Sequence, residues 1–269
     1  MEKLFPAEGP EIKLIADNIR ENLFGAKINN INFLNILKTL QVNDLTYDQV
    51  IDVRTKGKQT YIQISKDNFI LFDPRVSGCF STEMPERTNS CVLSIETSKG
   101  TLFFNDLLKN SRIYFLNKFE LDQRLKNIAW DSIDEDFEDK IDYFSNIIQK
   151  SNKSLGVQII GSLMFSSVGV FLKSESFYIN KISPHSISRD LSKLKILELC
   201  DTIQKVSRLS YENNGIYDQF LFTEIKSNME DKINVFLKKQ DKLGNDVIFL
   251  NKHPDYSGIF YVKEVQEVL

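Results

Sequence analysis

Cysteine and histidine are scarce in this 269-residue chain, and their scarcity removes whole classes of chemistry. The three cysteines, Cys79, Cys91 and Cys200, stand far apart. They suggest neither a disulfide framework nor a CxxC pair. With only two histidines, His185 and His253, and no paired cysteines, no zinc finger is expected and no metal either. Glycine-rich phosphate loops of the P-loop or dinucleotide-binding type are missing, and no cofactor is expected. Apolar residues make up 42% of the chain, yet no run approaches the ~20 needed to span a bilayer. The first residues lack the basic and apolar regions of a signal peptide. An intracellular globular protein, with no membrane partner, is the expectation.

Charge is short overall but unevenly spread. The net value is -3, which alone does not favour nucleic acid. Residues 120–142 hold nine acids against three bases, whereas residues 150–210 hold nine Lys/Arg against four Asp/Glu. A basic segment in an acidic protein is compatible with phosphate binding, and equally with a solvated helical surface. The acids at Asp134, Glu135, Asp136, Glu138 and Asp139 read as a solvated connector rather than a metal site.

The length suffices for two domains with their own cores. Pro10 suits the first turn of a helix, where its missing N–H would be unpaired anyway. Ile12, Ile15, Ile19 and Leu23 follow at helical spacing, and Gly25 suits the C-terminal cap. Strands are predicted at 61–64, 69–72, 92–95 and 101–104, with turns at 66–68 and 98–100. After the acidic stretch the pattern turns helical, at 141–149, 156–165, 171–179 and 191–207. Ser188 is the expected cap of the last of these, with Leu194, Leu197, Cys200, Ile203 and Val206 as its apolar stripe. A final helix is predicted over 228–238, then β-like runs at 246–250 and 258–262. The fold class is α+β: an N-terminal helix with an antiparallel β-sandwich (1–125), an acidic connector (126–140), and a helical domain ending in a hairpin (141–269).

Ala7-Glu8-Gly9-Pro10-Glu11 resembles the start of the Fpg/Nei family of DNA glycosylases, whose mature chains begin Pro-Glu-Gly-Pro-Glu or Pro-Glu-Leu-Pro-Glu. Further pieces fall in the family's order. Gly57-Lys58 resembles its strand-borne Gly-Lys. Ser77-Gly78 with Phe80, and Asn105-Asp106, resemble two of its loops. Val168-Gly169, Lys173-Ser174-Glu175 and Pro184 resemble its helix-two-turns-helix module. Val262 and Glu264-Val265-Gln266 resemble the end of its zincless finger hairpin. The resemblance implies that fold, duplex DNA rather than RNA as partner, and a cleft between two domains as the binding place.

The departures concern chemistry. The family's nucleophile is the free amine of the first proline, and Ala7 stands at that position. The Ala7 nitrogen is acylated by Pro6, and an amide lone pair delocalised into a carbonyl is not nucleophilic. Val170 replaces an asparagine that donates to a phosphate. Ser257 stands where the finger carries an arginine, and no arginine follows Arg208. The residues that fill the void left by a flipped base are replaced by Val76, Lys109 and Asn110. Glu8 and Lys58 remain. By the resemblance the family-equivalent catalytic positions are Ala7, Glu8 and Lys58. The nucleic-acid contacts would be Lys58, Lys109, Arg112, Gly169, Val170 and Lys173, with the N–H groups around Gly169 open to an anion. From the residues alone, Glu8 reads as a first-turn acid of the helix. Lys58 likewise reads as a lysine after a glycine turn.

The preferred reading is a duplex-binding protein without base-excision chemistry. The second is a divergent active glycosylase and lyase, matured by trimming or using a lysine amine. The third is a protein-interaction module in which the inherited cleft is unused.

Overall fold

The computed structural model describes residues 6–34, 46–86, 88–136, 138–159, 165–251 and 258–267. The chain divides into two compact units. Unit 1 is built from Glu11–Ile128 and Tyr217–Ser227, with the short stretch ending at Ala7. Unit 2 is built from Glu8–Pro10, Ala129–Ile216 and Asn228–Leu269. The units are interleaved along the sequence, so no single boundary near residue 125 separates them.

Unit 1 contains most of helix α1 (Gly9–Leu23) and eight strands: β1 (Ile28–Phe33), β2 (Asp52–Lys56), β3 (Gln59–Gln63), β4 (Asn68–Asp73), β5 (Gly78–Ser81), β6 (Cys91–Thr97), β7 (Gly100–Asp106) and β8 (Arg112–Asn117). One antiparallel sheet runs β1-β6-β7-β5 and the other β2-β3-β4-β8. Alternation explains the packing. Val53, Ile62, Ile70, Phe72, Ile113 and Phe115 face one core with Leu93, Ile95, Leu102 and Phe104 of the other sheet. Ala16, Ile19 and Leu23 bring α1 into the same core. The outer face of the second sheet carries Phe69, Leu71 and Leu116, covered by Leu121 of α2 (Lys118–Lys126). Asn117 and Glu120 close a capping box at the start of α2. A short β9–β10 ladder (Gln219–Phe220, Glu224–Ile225) completes the unit and sends Leu221 and Phe222 against its core.

Unit 2 holds α3 (Ile141–Gln149), α4 (Leu155–Gln158), α5 (Val170–Ile179), α6 (Lys193–Glu212) and the antiparallel pair β11 (Ile248–Leu250) and β12 (Ile259–Tyr261). Several expectations need correction here. The helix α6 begins after Ser192, which accepts from the Lys195 N–H, while Ser188 opens a separate 3-10 turn. Its buried face is Ile196, Leu199, Cys200, Ile203 and Val206; Leu194 and Leu197 point to solvent. Of the helix expected at 156–165 only α4 is seen, and residues 160–164 lie outside the described residues. No helix covers 228–238. A 3-10 turn at Glu230–Lys232 is followed by irregular chain whose N–H groups turn towards Glu175. The connector is not a free linker either. Trp130, Asp131 and Ser132 are buried, and the Trp130 ring packs on Phe144 and Phe165. No described helix is long and apolar enough to cross a membrane.

Candidate functional site

The first residues of the Glu8–Glu11 motif are tied into unit 2. The Glu8 carboxylate is 2% exposed and accepts from the N–H groups of Gly169 (2.8 Å), Phe171 (2.6 Å) and Leu172 (3.1 Å). It therefore caps α5 from 160 residues away, engaging N–H groups that a helix start leaves without intrahelical partners. The Gly9 N–H donates to the Ser167 carbonyl at 2.9 Å. Behind this contact the Ser167, Ser132 and Ser207 hydroxyls form a buried chain, 2.7 and 2.6 Å apart. Gly169 fits closely here: a Cβ would lie 2.5 Å from the Glu8 carboxyl and would displace it. So Glu8 is not a first-turn acid of α1, and the N–H groups around Gly169 are not open to an external anion.

Two more expectations for unit 2 change. Lys173 is fully buried and its ammonium donates to the Gly156 carbonyl at 3.2 Å, so it holds α4 to α5 instead of meeting solvent. Val170 is also buried. Glu175 repeats the theme of Glu8. It is 2% exposed and accepts from the N–H groups of Asn234, Val235 and Phe236 and from the Asn234 side chain, all at 2.8–2.9 Å. Those bonds organise the chain leading to β11. Ser257 and His253 lie outside the described residues.

Unit 1 gathers the remaining candidates at one end of its sandwich. The turn after β2 is two residues, Gly57-Lys58, with Gly57 at φ 62°. A positive φ at the first turn position alone is the type II′ hairpin pattern that favours glycine. Lys58 thus sits at a hairpin tip, half-buried. Thr60 pairs with Phe72 and Phe72 with Ile113, so this tip lies at the same sheet end as the loops after β4 and β7. Lys109 and Arg112 are exposed there, Lys109 in the left-handed region at φ 53°.

Asp106 stitches the two loops together. Its carboxylate accepts from the Ser77 hydroxyl, the Leu108 N–H (3.1 Å) and the Ser111 N–H (2.6 Å). The Ser111 hydroxyl in turn donates to the Pro74 carbonyl. At the crest of this clamp stand Val76, Leu107 and Leu108, 59%, 58% and 59% exposed. The expected replacements at the wedge, Lys109 and Asn110, are therefore not the apolar tip; Leu107 and Leu108 are. The sequence held a signal for them, since two adjacent leucines in a short loop between strands are hard to place in a core.

Burial pushes the Asp106 carboxyl up, but the bonds from Ser77, Ser111 and Leu108 outweigh it and hold the group below its ordinary value. Its contribution to stability is therefore full above the ordinary carboxylate range and is lost as pH falls through the lowered value. Asp106→Asn is expected to cost on the order of 1–2 kcal/mol at neutral pH, and the gap should close on acidification. Urea unfolding of both proteins across the acid range measures it; a gap that does not narrow would contradict this account. The buried cysteines are inert by contrast, with burial pushing the Cys200 thiol up to about 12.

Comparison with known proteins fits this layout. Residues 7–113 match the family described as the formamidopyrimidine-DNA glycosylase N-terminal domain. The formamidopyrimidine-DNA glycosylase of Ureaplasma parvum is 23% identical over 220 residues, covering 77% of this chain and 79% of that protein. Endonuclease 8 of Escherichia coli is 22% identical over 220 residues, covering 79% and 82%. A solved Lactococcus lactis Fpg, in complex with abasic-site DNA, has a TM-score of 0.84 at 18% identity over 97% of this chain and 100% of that one, which shows a common fold. The profile matches the first part of the chain, the relatives cover more than three quarters of it, and the solved structure shares its fold, so the chain is similar to the Fpg/Nei proteins in sequence and in fold.

Proposed function

We propose that this chain binds duplex DNA through the loop end of unit 1 and performs no base excision there. The observation that carries the reading is the apolar crest of Val76, Leu107 and Leu108 flanked by Lys58, Lys109 and Arg112. Cations beside an apolar tip suit a duplex: the cations meet phosphates, and the leucines enter a disturbed stack. Solved relatives of the same fold hold DNA with an abasic site, which supports DNA as the partner. The absence of chemistry rests on Ala7, whose nitrogen is an amide while Pro6 precedes it. Glu8 supports the same reading. Its carboxylate is occupied by three N–H donors of α5, a structural duty.

A second reading, an active glycosylase and lyase, is favoured by the family match beginning at Ala7. Cleavage before that residue would free a primary amine beside Glu8.

One experiment separates these readings. The protein is mixed with abasic-site duplex, binding is followed against salt, and a portion is treated with borohydride. Binding should weaken steeply with salt. Replacing Lys58, Lys109 and Arg112 together by alanine should flatten the log–log slope by about 0.9 per lost contact. No covalent adduct should form. An adduct would install the second reading, and no binding to DNA even at low salt would leave only a protein-interaction module.

A further inference from the structure

A pocket of about 410 Å³ opens on the outer face of unit 1, away from the core between its sheets. Helix α2 lies over β4 and β8 on that face, and the pocket is the step between α2 and the outer side of β2 and β3. Its apolar wall is Tyr61, Phe69, Leu121 and Leu125. Tyr61 and Phe69 come from neighbouring antiparallel strands on the same face, with Tyr61 level with Leu71 and Gln63 level with Phe69. Tyr61 is half-buried and offers its side chain to an occupant, while Phe69, 6% exposed beneath Leu121, forms the apolar floor. The volume lies in the ~300–1,000 Å³ range of small-molecule sites, near its lower end.

The charges choose the occupant. Arg54, Lys66 and Lys118 line the pocket with Asp52 and Asp67. Asp52 is already engaged at both oxygens, by Arg20 at 3.2 Å and by Arg54 at 2.6 Å. Lys118 pairs only with exposed Asp122, one turn along its helix, and such a surface pair is worth little and easily exchanged. Lys66 makes no salt bridge among the described residues and sits in the β3–β4 turn. That turn and the start of α2 share one sheet end, because Asn68 pairs with Asn117. Two displaceable ammonium groups therefore stand at one end of an aromatic-walled pocket. Asp67, in the same turn as Lys66, makes no salt bridge among the described residues either, but the two ammonium groups outweigh it, and a planar ring with an acidic group fits both features.

We propose that this pocket binds a free nucleoside monophosphate, its base on Tyr61 above the apolar floor and its phosphate between Lys66 and Lys118. Stacking is indifferent to the identity of the base, so purine and pyrimidine monophosphates should both bind, the larger rings better. The inference does not depend on the reading of the crest residues, which lie at another part of unit 1.

Titration of the full chain with AMP by isothermal calorimetry or protein-observed NMR tests it, with adenosine and inorganic phosphate as separate probes. AMP should saturate a single site, and each fragment alone should bind at least about tenfold more weakly. Lys66→Glu and Lys118→Glu, at exposed positions, should each weaken AMP about tenfold while leaving unfolding and duplex binding unchanged. Failure of AMP to saturate, or equal binding by wild type and both variants, overturns the proposal. Adenosine matching AMP overturns the phosphate assignment, and phosphate matching AMP overturns the aromatic one.

Discussion

Glu8→Ala should cost the protein about 3–5 kcal/mol and loosen unit 2 before unit 1. The cost has a specific origin. Three N–H groups at the start of α5 point at one carboxylate with 2% exposure, and alanine leaves all three without it. Removing one partner from a buried hydrogen-bonded set forfeits the solvation of those left behind. The close fit of Gly169 against the carboxyl leaves little room for a replacement side chain, though the truncation itself opens space for water. Glu8→Gln is the informative companion. An amide oxygen placed where Oε2 stands keeps the bonds from Gly169 and Leu172, but sets its NH2 against the Phe171 N–H. Its cost should be smaller, about 1–2 kcal/mol. Chemical unfolding followed by hydrogen exchange of the 169–179 amides reads both. A Glu8→Ala protein as stable as wild type would show that the capping bonds are dispensable.

Leu107→Asp combined with Leu108→Asp should weaken binding to an abasic-site duplex by about tenfold to a hundredfold, with far less effect on an intact duplex. Burying a leucine is worth about 1.5–3 kcal/mol in full, and each of these is more than half exposed in the free protein. Only the exposed part is gained on entering a stack, and a charge placed there is repelled by phosphates. An intact duplex offers no void, so its affinity rests on the cations, which the double variant retains. Fluorescence anisotropy at fixed salt compares the two duplexes; parallel losses on both would mean that the leucines do not enter the helix. Because Asp106 holds the loops and is untouched, the double variant should keep the clamp intact.

Period-two strands were legible in the sequence because alternation reports burial directly. The runs at 69–72, 92–95 and 101–104 lie within β4, β6 and β7, and the run at 61–64 passes the end of β3 by one residue. The helix at Ile141–Gln149 matches its predicted span because Phe144 and Ile148, four residues apart, mark one buried helical face. Strand β2 was missed because Asp52, Arg54 and Lys56 dominate it, its outer face meeting water. At α6 the stripe was displaced because Leu194 and Leu197 fit helical spacing as well as Ile196 and Leu199 do. Only tertiary packing decides between the two faces. The expected helix at 228–238 failed for a cause outside its own residues: a carboxylate 59 residues earlier takes the N–H groups it would have used. The same limit governs the site. The family resemblance marked Glu8, Lys58 and Gly169, but that Glu8 caps Gly169, or that Lys173 is interior, depends on contacts more distant than any periodicity reaches.

The interleaving of the two units bears on how the chain is made. Residues 8–10 are made well before the helix start they belong with, about 160 residues later. Residues 217–227, which put Leu221 and Phe222 against the sandwich core, leave the ribosome only after most of the other unit's helices. Domains usually mature in order of synthesis, the first finishing before the second appears. Here the sandwich waits for a strip that is made only after residues 129–216 of the other unit. The opening residues must in turn be held unspent until α5 emerges. Such a chain is assembled as a whole, and neither half cut out at residue 125 would carry all of its own parts.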